Sequence, residues 1–294
     1  MKKRRRLLPL VRIVRRNGRL TVVGMGSWHS YWRDPYHLLL TISWPGFLAL
    51  VSLGYIATNA LFALAYLAGG DGIANARPGN FVDAFSFSVQ TMASIGYGAM
   101  YPRTLYANMV VAIEALVGLM GLAIGTGLAF ARFSRPTARV FFSRVAVIAP
   151  YDGVPTLIFR TANKRGNQIL EAQLRVALVR DEVNAEGQFM RRFYDLKLVR
   201  SQNPMFLLTW TAMHPIDEYS PLYGATPETL AAAETMLVIT LTGLDETVSH
   251  TIHARHTFAA HEILWNMRFV DIISKTKDGQ RYVDYTRFHD VTPM

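Results

Sequence analysis

The sequence predicts a mixed membrane protein: two membrane-spanning helices bracket a short re-entrant helix and its loop, and a β-sandwich follows. Three observations carry this reading. A run of 36 residues from Pro35 to Gly70 contains no Asp, Glu, Lys or Arg. A second apolar run, Leu105 to Phe133, has Glu114 as its only charge before Arg132. Beyond residue 140, short alternating runs such as Leu174 to Val179 and Met236 to Leu241 are separated by turn signals at Asp152-Gly153, Glu186-Gly187 and Asp278-Gly279. Such spacing fits a sandwich, and the last turn joins two β-rich runs as a hairpin would.

The charge is placed unevenly. The chain nets +10 over 294 residues, from 31 Lys/Arg and 21 Asp/Glu. Residues 1–33 hold ten of the cations and no acid, so the other 261 residues carry 21 of each sign. A nucleic-acid-coating protein carries its charge on the folded body, so bulk basicity does not predict a nucleic-acid partner. A basic tail ahead of a neutral body fits a nucleic-acid arm, a targeting sequence or the cytoplasmic flank of a membrane segment. Hydrophobic content of 51% with 18% charged residues favours a membrane protein. The absence of cysteine excludes a disulfide scaffold, a thiol nucleophile and a Cys-ligated metal. No G-x-S-x-G, P-loop or HExxH string appears, so an enzymatic site has no support.

The first apolar run is longer than the ~20 residues one crossing needs, and Pro45 divides it. Asp34 caps a short helix that starts at Pro35 and lies along the interface. The crossing then runs from about Pro45 to Leu67. The second crossing carries Gly118, Gly121, Gly125 and Gly127, residues that permit either close helix approach or bending. Arg132, Arg135, Arg139 and Arg144 follow it, whereas the connecting loop has only Arg77 and Arg103. The positive-inside rule then puts both termini in the cytoplasm. The apolar run starts too far along, and runs too long, for a cleaved signal peptide.

The loop carries the chemistry. Phe81 to Met92 reads as a helix too short to cross, hence re-entrant. Ser94-Ile95-Gly96-Tyr97-Gly98 follows. Glycines on either side of Tyr97 let alternate residues take backbone angles that a side chain opposes. Successive carbonyls can then face one axis, and four copies around it replace the hydration shell of a potassium ion. The Ser94 hydroxyl adds an innermost ligand, and the carboxyl end of the short helix turns its negative pole toward the ion path.

This order of span, short helix, SIGYG and span resembles potassium channels with two crossings per subunit. Ala131-Arg132-Phe133-Ser134-Arg135-Pro136 is similar to the Arg/Lys-x-x-Arg/Lys-Pro junction of inward rectifiers. Met213 to Gly224 and Val283 to His289 resemble the H-x-I-D-E-x-S-P-L-Y and VDY-S/T-RFH strings of the same family. From about Trp28 to the C-terminus the chain is identified as a member of the bacterial inwardly rectifying potassium channel (KirBac) family. The resemblance implies a homotetramer, an interfacial slide helix and a cytoplasmic immunoglobulin-like β-sandwich that extends the pore. It implies potassium as the permeant ligand, at Ser94, Ile95, Gly96 and Tyr97, and no cofactor. Membrane lipids are the implied partners, phosphatidylinositol bisphosphate or another anionic headgroup, with polyamine or magnesium as pore blockers.

The chain also departs from eukaryotic members. Ser94 replaces their filter Thr; Gln90 and Met100 replace a Glu/Arg ion pair behind the filter; and the cysteines flanking the pore are missing. Leu122 stands where strong rectifiers carry an acid, so weak rectification is expected. Thr137 and Ala138 replace two basic residues of the lipid-binding stretch.

Among individual residues, Glu114 either hydrogen-bonds the pore loop or serves conduction directly, as intramembrane acids tend to be functional. Phe130 matches the family's aromatic gate, closing by dewetting. Gly118 and Gly127 are hinges or close-packing sites. Arg33, Arg132, Arg135 and Arg139 form a headgroup site or a generic basic flank. His253, His256 and His261 lack a completing carboxylate and read as structural rather than metal-binding.

The expected domains are a basic tail (1–34), a pore domain (35–139) and a β-sandwich (140–294). The expected function is potassium conduction across a bacterial inner membrane; the alternative is a non-conducting, membrane-anchored sandwich that senses lipid or a ligand.

Overall fold

The computed structural model describes residues 34–275 and 279–294, together with the backbone of two strands, β1 (Val11–Arg16) and β2 (Arg19–Gly24). Arg33 lies outside the described residues. Strands β1 and β2 pair antiparallel, from Val11 opposite Gly24 to Arg16 opposite Arg19, a pairing that the basic charge of the segment does not reveal. Residues 26–135 form one compact unit; residues 136–294 form a second, to which β1 and β2 belong.

The first unit is helical. Helix α1 (Pro35–Thr41) begins where the Asp34 carboxylate accepts the His37 N–H at 2.9 Å, with proline in the first turn where no N–H is required. Helix α2 (Trp44–Ala68) is the first crossing and ends at Gly69. The chain then forms a two-residue ladder between β3 (Ile73–Ala74) and β4 (Tyr101–Pro102), which closes the outer loop. Inside that loop lies α3 (Phe81–Met92), its start fixed by the Asn80 side chain accepting the Asp83 N–H at 3.0 Å. Helix α4 (Leu105–Phe133) is the second crossing, capped by Thr104, whose hydroxyl accepts the Ala107 N–H at 3.1 Å.

A small core holds these helices together: Ala63 and Tyr66 of α2, Ala84 and Phe87 of α3, and Ala107 and Val110 of α4. Outside it, α2 and α4 present large apolar side chains to their surroundings, Leu61 and Leu119 being two-thirds exposed. A continuous apolar surface of this kind needs lipid or further protein against it.

The second unit is a β-sandwich of the predicted immunoglobulin-like class. Its strands are β5 (Val140–Phe142), β6 (Ala146–Tyr151), β7 (Val154–Asn163), β8 (Ile169–Val183), β9 (Phe189–Leu196), β10 (Gln202–Phe206) and β11 (Thr209–Pro215). After helix α5 (Pro227–Ala232) come β12 (Met236–Asp245), β13 (His250–Ala259) and β14 (Ile263–Trp265). One sheet has the order β10-β8-β12-β13 with β9 beside β8; the other has β11-β7-β6-β14 with β5 beside β7. The two alternating runs seen in the sequence are direct neighbours, Met236 opposite Val179 and Leu241 opposite Leu174. Their inward residues, Leu174, Val176 and Leu178 with Leu237, Ile239 and Leu241, share one core with Leu157 and Phe159 of the other sheet. Each such side chain contributes about 1.5–3 kcal/mol on full burial.

The turns at Asp152-Gly153 and Glu186-Gly187 join β6 to β7 and β8 to β9, with Gly153 and Gly187 at φ +80° and +79°. Short pairs complete the unit: β15 (Met267–Phe269) with β18 (Val291–Pro293), and β16 (Ile273–Lys275) with β17 (Arg281–Val283), while Asp278 of the third turn signal lies outside the described residues.

Polar anchors tie the sandwich edges. Asp245 accepts from Asn167 Nδ2 at 2.7 Å, Arg165 at 2.8 Å and the Thr247 N–H at 3.0 Å. Burial alone raises its carboxyl, but these donors outweigh it and hold the group below its ordinary range. The histidines His253 and His256 lie on β13, where a three-residue spacing puts them on opposite faces; among the described residues no cluster could hold a metal ion.

Candidate functional site

Helix α3 ends at Met92, and three backbone bonds carry the chain into the loop. The Ala93 N–H donates to Val89 O at 3.0 Å, the Ser94 N–H to Thr91 O at 3.0 Å and the Ile95 N–H to Gln90 O at 2.8 Å. The backbone then alternates: Ser94, Gly96 and Gly98 have φ of +54°, +60° and +80°, whereas Ile95 and Tyr97 do not enter this region. Two of the three left-handed positions are glycine, as the sequence required. Ser94 is not, and an L-residue there is held against its preference by about 1–2 kcal/mol. At the far end the Asn75 amide donates to Ala99 O at 2.7 Å. The strip itself is exposed in the single chain, with Tyr97 at 74%.

The two cations of the outer loop are neutralised within it. Arg77 makes a bidentate pair with Asp83, both contacts at 2.9 Å, and Arg103 pairs with Asp71. Charge in this loop therefore sums locally to zero. Gln90, whose backbone carbonyl accepts the Ile95 N–H, is part-buried, and Met100 packs on the small helical core; neither side chain is charged.

Glu114 of α4 is fully buried in this unit. It receives the Tyr66 hydroxyl from α2 at 2.5 Å and contacts the Ser88 hydroxyl of α3. Ser88 also reaches Asn59 Oδ1 at 3.0 Å. Of the two sequence alternatives for Glu114, the hydrogen bond is present, but its partners are the short helix and the first crossing rather than the loop strip. Tyr66, Ser88 and Asn59 were not among the predicted site residues. Asn59 was findable, as the only side-chain amide within α2.

Gly118 packs against α3, because a Cβ there would lie 2.7 Å from Met92 O; Gly127 faces open space. Leu122 and Phe130 are 70% and 72% exposed in the single chain. The basic residues predicted for a headgroup divide. Arg132 donates to Leu39 O and, at 2.6 Å, to Ile42 O, with its guanidinium 4.7 Å and 4.6 Å from the Trp44 and Phe47 ring centroids. Arg135 donates to Leu40 O at 3.1 Å. Both thus satisfy the last carbonyls of α1, which has no basic residue in its own last turn. Arg139 is exposed and belongs to the β unit.

Comparison with known proteins agrees with this architecture. Residues 50–135 match the ion channel family and residues 140–294 the inward rectifier potassium channel C-terminal domain. Inward rectifier potassium channel Kirbac3.1 of Paramagnetospirillum magnetotacticum is 49% identical over 281 residues, covering 95% of each chain. ATP-sensitive inward rectifier potassium channel 12 of Gallus gallus is 31% identical, covering 95% of this chain and 71% of its own length. Inward rectifier potassium channel 18 of Homo sapiens is 29% identical, covering 95% and 70%. With both halves matched and nearly the whole length aligned, the chain belongs to the bacterial inward rectifier potassium channel family.

Proposed function

We propose that this protein is a potassium channel of the cytoplasmic membrane, assembled from four copies around the Ser94–Gly98 strip. The observation that carries this is the alternating backbone at Ser94, Gly96 and Gly98, directly after a capped twelve-residue helix between two crossings. Left-handed residues alternating with residues of negative φ turn successive carbonyls the same way, and a ring of such carbonyls replaces an ion's water shell. One copy leaves the strip exposed, so the ring needs the others. Potassium is the permeant ligand, at Ser94, Ile95, Gly96 and Tyr97.

Phe130 is the proposed gate, four rings narrowing the inner end until water leaves it. Gly127 is the candidate hinge, since no packing neighbour accounts for it; Gly118 is fixed by its contact with Met92. An anionic headgroup, phosphatidylinositol bisphosphate or similar, would be drawn to the basic residues Arg33, Arg132, Arg135 and Arg139, of which Arg132 and Arg135 also donate to carbonyls at the end of α1. Both termini would face the cytoplasm, since the outer loop has only Arg77 and Arg103 whereas ten Lys/Arg precede the first crossing and Arg132, Arg135, Arg139 and Arg144 follow the end of the second apolar run.

The test is flux. Purified protein in liposomes with controlled anionic lipid should take up rubidium in a barium-sensitive manner with little sodium entry. No flux under any lipid composition would favour the non-conducting sensor instead.

A further inference from the structure

Within the two crossings, Glu114 is the one carboxylate, and no ion pair reaches it among the described residues. Its contacts are hydroxyls: Tyr66 at Oε2 and Ser88 at Oε1. The Ser88 oxygen also lies 3.0 Å from the Asn59 side chain. Which atom of Asn59 faces Ser88 is decided by its other end. That end lies 2.8 Å from Tyr55 O and 3.4 Å from Met92 Sδ, both acceptors, so it is the NH2. Ser88 therefore faces the Asn59 carbonyl oxygen.

Three close oxygen–oxygen contacts join Tyr66 to Glu114, Ser88 to Glu114 and Ser88 to Asn59. Tyr66 and Ser88 supply two hydrogens, and an ionised Glu114 and a side-chain carbonyl supply none. One contact would then press two lone pairs together without a proton. A carboxylic acid removes the conflict: Glu114 donates to Ser88, Ser88 donates to Asn59, and Tyr66 donates to the second carboxyl oxygen. A neutral acid also avoids an unpaired buried charge, the costlier state at membrane depth.

The same helix faces meet twice. Glu114 and Gly118 on α4 are four residues apart, as are Ser88 and Met92 on α3, so one turn separates two contacts along each helix. The second contact ends two residues before Ser94. We propose that Glu114 is held as a neutral carboxylic acid and, through Ser88, is a positioning residue that sets the short helix and hence the ion-coordinating strip. This rests on the reading of that strip as the selectivity filter.

The experiment pairs a spectroscopic measurement with flux. Infrared difference spectra of the full-length protein against Glu114→Gln should show loss of a protonated-carboxyl stretch and no change in the carboxylate band. Loss of carboxylate absorption instead overturns the proposal. In liposomes Glu114→Gln should keep selective rubidium uptake, because an amide can accept from Tyr66 and donate to Ser88. Glu114→Ala should lose at least about tenfold, a loss of about 1.4 kcal/mol. A Gln variant as inactive as the Ala variant also overturns it. The infrared result needs no conduction, so a wild-type protein that never conducts defeats the channel reading separately.

Discussion

Gly118 stands against the backbone carbonyl of Met92, where a Cβ would come within 2.7 Å of the oxygen and 3.0 Å of the Met92 Cγ. Backbone cannot swing aside as a flexible side chain can, so α3 must shift if a methyl is added. Met92 leads directly into the strip that begins at Ser94. Gly118→Ala should therefore admit sodium and lower rubidium uptake by about tenfold or more. Gly127→Ala, facing open space, should leave the rubidium-to-sodium ratio unchanged. Equal ratios in the wild type and Gly118→Ala would show that this contact does not set the strip.

Gly96 poses a different constraint. No atom lies within 4 Å of a Cβ built there, so the penalty of Gly96→Ala is conformational, arising from φ of +60°. A left-handed alanine costs about 1–2 kcal/mol, enough to turn one carbonyl out of the ring. Rubidium uptake should collapse or lose its preference over sodium. Unchanged selective uptake would remove the filter from 94–98.

Arg132 separates a structural from a lipid role. Its fork spans two carbonyls of the α1 end while its plane lies over Trp44 and Phe47. Lysine keeps the charge but loses both the fork and the flat face. Arg132→Lys should lower the melting temperature of the detergent-solubilised protein, since hydrogen bonds to a charged donor are worth about 1.5–3 kcal/mol each. If Lys melts like the wild type, Arg132 acts there as a positive charge alone.

Leu122 is expected to leave the inner cavity without a fixed charge. Leu122→Asp should strengthen voltage-dependent block by internal polyamine or magnesium, read in planar bilayers with and without blocker. Identical block in both proteins would mean that residue 122 does not face the ion path.

Much of this was legible because the bilayer imposes long uniform runs. Helix α4 ends where the apolar run ends, and α3 covers Phe81–Met92, the stretch that the sequence marks as a short helix. The left-handed glycines were legible because only backbone freedom explains a Gly-Tyr-Gly at that depth. What stayed hidden joins residues distant in the chain. Arg132 reaches back 90 residues to Ile42, and an arginine after an apolar run looks the same whether it binds lipid or caps a helix. Glu114 was conspicuous as a lone acid, but its partners Tyr66 and Ser88 are unremarkable in an apolar segment until three helices converge. The parallel pairing of β14 with β6, Ile263 opposite Ala146, likewise leaves no periodic trace.

His214 lies within the Met213–Gly224 string that resembles the family's cytoplasmic domain. Its Nδ1 lies 2.7 Å from Lys197 O, an obligate acceptor, so Nδ1 carries the hydrogen. Ser220 lies 2.8 Å from Nε2 while its oxygen accepts the Leu222 N–H at 3.2 Å, so the hydroxyl donates to the ring. A proton added at Nε2 breaks this chain. Burial pushes the imidazole below its ordinary value, against the opposing pulls of the Lys197 carbonyl and Asp217. The unfolded chain thus takes up a proton at higher pH than the folded one. Stability is fully present above the unfolded value of about 6.5 and falls as pH drops through it, by about 1.4 kcal/mol per pH unit until the folded value is reached. His289 is depressed too, by burial and by Arg144, so the wild type alone does not isolate the effect. The apparent melting temperature should fall more between about pH 7.5 and about pH 5.5 in the wild type than in His214→Gln, whose amide does not titrate. Parallel falls in the two proteins would show that His214 does not contribute to the acid sensitivity of the β unit.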